Sequence, residues 1–141
     1  MDALIALLSA WIAAQIGLST PPPPRVLHLD PAALHELATT PDAQMERFRA
    51  LYGRGERTVY LRTNWDAAKL NDRSELVHEL VHHFQNAHTL PYDCNAARET
   101  LAYDLQIKWL REQGVTDPQG FLQINDFFIV MTSVCRDESH D

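Results

Sequence analysis

Apolar residues recur at helical spacing in several stretches of the chain and at strand-like density in others. Leu4, Leu8, Trp11, Ile12 and Ile16 share one side of a 3.6-residue period, Asp2 can cap the start, and Gly17 can close the end. This predicts an amphipathic N-terminal helix within residues 1–20. Prolines 21–24 follow; they have no amide hydrogens to donate and favour an extended spacer. Residues 26–29 form a short strand candidate. Asp30-Pro31 then supplies a cap and a first-turn proline for a short helix over 31–38. Residues 39–44 read as loop. Two β-rich runs, 47–52 and 57–62, flank a turn containing Gly53 and Gly55, which predicts a hairpin; a helix through 42–52 is the alternative.

Asp72 followed by Glu75 resembles a capping box, so a helix is expected over 73–87. At about 100° per residue, Leu76, Val77, Leu80, Val81, Phe84 and Ala87 fill one face. His78, His82 and Gln85 fall outside it, giving the helix a core side and a polar side. Pro91 marks a loop. A long helix is expected over 95–113, closed by Gly114. Its solvent side carries Thr100, Asp104, Lys108 and Arg111, while Glu99 and Gln106 lie inside the apolar arc. Residues 127–134, FFIVMTSV, suit helix or strand, and helix is favoured. The expectation is a single compact α+β domain over 1–141, mostly helical with a small sheet.

The length of 141 residues suits one core, and 45% hydrophobic content marks a globular chain. Net charge is −7 with no basic cluster, which argues against nucleic acid as a partner. The apolar run 3–18 is too short to span a bilayer. Asp2 stands where a secretory leader would carry Lys or Arg, so the run reads as a structured helix. The two cysteines, Cys94 and Cys135, sit in polar, loop-like surroundings. A bridge between them is favoured over two buried thiols, and it would imply an oxidising, extracytoplasmic compartment.

The seven histidines are the compositional oddity, and His78, His82 and His83 fall within HELVHHFQ, residues 78–85. His78 and His82 are i and i+4, so their rings project from adjacent turns of one helix face. Two imidazoles so placed can share one tetrahedral Zn²⁺. Glu79 stands about a third of a turn away, able to take a proton from an attacking water rather than ligate the metal. Two residues compete to be the third ligand. His88 has the spacing of HExxHxxGxxH, but Gln85 occupies the glycine position and cannot turn the chain so sharply. Met131 would have to supply a Met-turn in that pattern, whereas a lone Met is usually core. Glu99 is favoured, because a carboxylate inside an apolar arc must be paired, protonated or on a cation; an ion pair with Arg98 is the simpler alternative. The bland reading of His78 and His82 is a pair of exposed polar residues.

HELVH followed by RETLAY resembles the gluzincin zinc metallopeptidases, whose pattern is HExxH with a glutamate on a second helix. The short chain is similar to their compact bacterial members, the minigluzincins, and the likeness covers roughly residues 57–113. It implies a small zincin-like fold in which an active-site helix packs against a glutamate helix. It also implies Zn²⁺ on His78, His82 and Glu99, Glu79 as general base, and a peptide or protein substrate. Strand 57–62 would be the sheet edge that receives the substrate backbone. Larger gluzincins carry Asp where Tyr103 stands here, and a His or Tyr that stabilises the oxyanion. Tyr92 and Tyr103 are the candidates for that catalytic role, against a packing role for each. His83 is expected beside the metal ligands or at the surface. Two other functions remain: a non-catalytic zinc module that holds a peptide in the same groove, and a helical structural protein with a surface histidine cluster.

Overall fold

The computed structural model describes residues 1–37 and 49–136. Six helices and a three-stranded sheet are found among them, an α+β architecture. Helix α1 spans Asp2–Ile16 and ends at Gly17, whose φ of 79° is the left-handed conformation that favours glycine. Asp2 is the first helical residue rather than its cap. Strand β1 (Arg25–Leu29) and helix α2 (Pro31–Leu37) follow; the Asp30 carboxylate accepts from the Ala33 amide, as the cap assignment requires.

Strands β2 (Ala50–Gly53) and β3 (Thr58–Arg62) form the expected hairpin, which excludes helix at 50–52; residues 39–44, and residues 42–48 of the helical alternative, lie outside the described residues. β3 pairs parallel with β1 and antiparallel with β2, so the sheet order is β1-β3-β2. Strand 57–62 is therefore central, not an edge. A parallel pairing joins segments far apart in sequence, which the alternation within β3 could not reveal.

Helix α3 spans Leu70–Ala87 and starts a turn earlier than expected, because Asp72 does not cap it. The Asp72 carboxylate instead pairs with Arg49 and accepts from the Asp66 amide, tying the β2 entrance and the loop after β3 to the helix start. Leu76, Val77, Leu80, Val81 and Phe84 are fully buried in one core with α1, the sheet and α4. The expected polar side is buried as well: His78, Glu79, His82, His83 and Gln85 all lie inside. A single 3₁₀ turn, Asn95–Arg98, leads into α4 (Glu99–Glu112), which packs along α3. Thr100, Asp104, Lys108 and Arg111 face solvent as expected. Gly114 has φ 98°; its amide bonds the Arg111 carbonyl and that of Val115 the Leu110 carbonyl, a Schellman ending. Helices α5 (Pro118–Leu122) and α6 (Asp126–Ser133) finish the described chain, so 127–133 is helix. Only Ile129 of α6 is buried, and Met131 is exposed rather than core. Cys94 and Cys135 form a disulfide that ties the end of α6 to the 3₁₀ turn.

Candidate metal centre

The i, i+4 spacing on α3 and the first residue of α4 meet at one point. His78 Nε2 lies 2.9 Å from Glu99 Oε2, and His82 Nε2 lies 2.7 Å from Glu99 Oε1. One ligand atom from each residue falls within 4.8 Å of the others, the group among the described residues able to hold a metal ion. The Nδ1 atoms are engaged elsewhere, His78 with Gln106 Oε1 at 2.9 Å and His82 with Gln85 Oε1 at 2.8 Å. Two imidazole nitrogens and a carboxylate form a donor set that can hold a divalent metal ion. The Glu99 side chain is 27% exposed against 9% and 11% for the histidines, so the point opens to solvent on the carboxylate side.

Electrostatics follow from that convergence. Burial would lower His78, but the charge and hydrogen bond of Glu99, with Glu79 and Gln106, push it up to about 9. Burial disfavours ionised Glu99, yet the two imidazoles hold its carboxyl well below the usual range. Glu79 is buried beside them. Burial raises it, and His78, His82 and a hydrogen bond from the Tyr52 backbone amide pull it partly back. A buried carboxyl whose proton affinity is raised, beside a possible cation site, can act as a general base.

Glu75 adds a second perturbed acid one turn before Glu79. Burial and the Glu79 charge push it up to about 8. The folded state thus holds this proton more tightly than the unfolded chain. The Glu75 contribution is present below the unfolded value and is lost as pH rises toward about 8. Glu75→Gln stays neutral throughout. In metal-free protein it is expected to raise the melting temperature at about pH 9 and to change it little at about pH 5; an equal offset at both would refute the assignment.

The remaining candidates lie around the centre. Tyr103 packs its ring on His78 with centroids 4.5 Å apart, and on Phe128 of α6. The Tyr92 hydroxyl accepts from Gln85 Nε2 at 2.8 Å, and Arg98 sits over its ring. His83 bonds none of the three convergent residues and is not at the surface. It is buried toward the sheet, where Nδ1 meets the Tyr52 hydroxyl at 2.7 Å and Nε2 donates to the Pro22 carbonyl at 2.7 Å. His88 points away from the centre and donates to the Ser19 carbonyl at 2.8 Å. These two histidines therefore pin the proline segment to α3. The groove of about 620 Å³ between α1 and that segment is lined by Met1, Ile5, Pro21 and His28, among others, and by none of the three convergent residues.

The family described as Domain of unknown function (DUF6647) matches residues 1–141. The chain belongs to the DUF6647 family. No curated protein and no solved structure matches it. In this DUF6647 protein the two glutamines are what the motif left unassigned. Gln106 was conspicuous as an amide inside an apolar arc. Gln85 gave no such sign, because its position on the helix wheel looked polar.

Proposed function

We propose that this DUF6647 protein is a zinc-dependent peptidase of the gluzincin type. The observation that carries the reading is the meeting of His78 Nε2, His82 Nε2 and the Glu99 carboxylate, with Glu79 buried beside them on the helix of the two histidines. His78, His82 and Glu99 would hold the ion. When bound, zinc would acidify a water and polarise a peptide carbonyl. Glu79 takes the proton of the attacking water and returns it to the leaving amine. The small sheet beside a helix pair fits a zincin-like domain. Among the described residues strand β2, not β3, is the sheet edge next to α3, and the backbone of its Tyr52 lies beside the Glu79 carboxyl. A substrate strand added along β2 would thus lie against the general base. The Cys94–Cys135 bridge fits an oxidising compartment and supports an extracytoplasmic site of action.

Zinc-loaded protein is expected to carry one zinc per chain by elemental analysis, and Glu99→Ala to carry none. A peptide-library digest should show cleavage that a chelator stops and zinc restores. One zinc with no cleavage of any peptide would favour the non-catalytic zinc module. No zinc in the wild type would end both readings.

A further inference from the structure

The two amides that touch the imidazoles have only one orientation that satisfies their neighbours. Gln85 Nε2 faces the Arg98 carbonyl at 3.0 Å, an oxygen that can only accept. The amide nitrogen must stand there, so Oε1 is the atom turned to His82 Nδ1. Gln106 Nε2 faces Ser74 Oγ at 3.1 Å. The Ser74 hydroxyl donates to the Asn71 carbonyl at 2.7 Å, so toward Gln106 it accepts, and Gln106 Oε1 is turned to His78 Nδ1. An amide oxygen cannot donate. Both imidazoles therefore carry a proton on Nδ1 and, when neutral, present a bare Nε2 lone pair to Glu99.

We propose that Gln106 and Gln85 are positioning residues of this centre: each holds one imidazole in the Nδ1–H tautomer with Nε2 aimed at the shared cation point. This rests on the metal reading above and adds what sets the strength of that binding. One contact crosses between the two helices and the other stays on α3. Gln106, on α4, orients His78 of α3. Gln85, on α3, orients His82 and also grips the Arg98 carbonyl, one residue before Glu99. All three ligands are thereby held in register by neutral amides. Two lone pairs and a carboxylate aimed at one another repel unless a cation or a proton lies between them, so the point takes one or the other. Both orienting groups are uncharged. The donor set of His78, His82 and Glu99 thus adds a single negative charge, and a divalent ion there would keep a net positive charge for polarising a carbonyl.

A packing role for Gln106 predicts the opposite mutational pattern from an orienting one. Gln106→Met fills similar space without an acceptor; Gln106→Glu keeps the acceptor for His78 Nδ1–H but buries a charge. Zinc affinity would be measured with Zn²⁺ alone by chelator competition, with melting curves of the metal-free proteins alongside. Gln106→Met is expected to weaken zinc roughly 10- to 100-fold, and Gln106→Glu to restore binding to within several-fold of wild type. The inference is overturned if Gln106→Met binds zinc as the wild type does, or if Gln106→Glu falls as far as Gln106→Met. Should the Met variant not fold, Ser74→Ala, which frees the Gln106 amide to turn, replaces it and must also weaken zinc. A wild type that binds no zinc would overturn the metal reading itself, a result distinct from either of the others.

Discussion

Glu79→Gln is expected to reduce peptide hydrolysis by about a thousandfold while zinc stays bound at one equivalent. The two halves of that outcome come from different atoms. Zinc would be held by His78, His82 and Glu99, whose ligand atoms converge within 4.8 Å, and Glu79 is outside that group. Its carboxyl lies beside them, buried next to the Tyr52 backbone. An amide in its place fills the same volume but cannot take a proton from water. Proton transfer by a positioned side chain typically contributes ~10²–10⁴-fold, and a thousandfold loss is about 4 kcal/mol of barrier. The measurement is kcat on a peptide cleaved by the wild type, together with zinc content of the same samples. Activity within tenfold of wild type would remove Glu79 from the chemistry, and loss of zinc would make it part of the donor set.

Opening the Cys94–Cys135 bridge is expected to have the largest effect on stability. The two residues are 41 positions apart, and cross-linking a loop of that size restricts the unfolded chain by about 4 kcal/mol. A domain of ordinary stability has ~5–15 kcal/mol in all, so much of it would be lost. The bridge also bears on the metal centre. Cys94 immediately precedes the 3₁₀ turn Asn95–Arg98 that delivers Glu99, and Cys135 follows α6, which packs against that turn and α4. Cys94→Ser with Cys135→Ser should lower the urea midpoint and, at temperatures where the protein stays folded, weaken zinc. An unchanged midpoint would mean that the bridge adds nothing to folding.

The helices that carry the site were legible because their signals are local. An apolar stripe from Leu76 to Phe84 marks a helix whatever packs on it, and Gly17 and Gly114 close helices because the left-handed conformation costs glycine little. The ends were less legible. Asp72 looked like a cap, but Arg49 and the Asp66 amide claim its carboxylate, and they come from segments that only folding brings near. The expected polar side of α3 is buried for a related reason. Periodicity reports which residues are apolar, yet His78, His82 and Gln85 are buried because polar partners on α4 and its leading turn satisfy them.

The sequence by itself determined that His78 and His82 share a helix face, with Glu79 next to the first of them, because helical pitch sets those relations within one element. It also marked Glu99 as an acid on an apolar arc that would need a partner. Only the tertiary structure decided that Glu99 faces both imidazoles, that Gln85 and Gln106 hold their other nitrogens, and that β3 is the central strand with β1 and β2 on either side of it. The physical reason is the range of each interaction. Pitch and capping act over a few residues, whereas a buried hydrogen bond or a parallel strand pairing joins atoms whose separation along the chain says nothing about their distance in space.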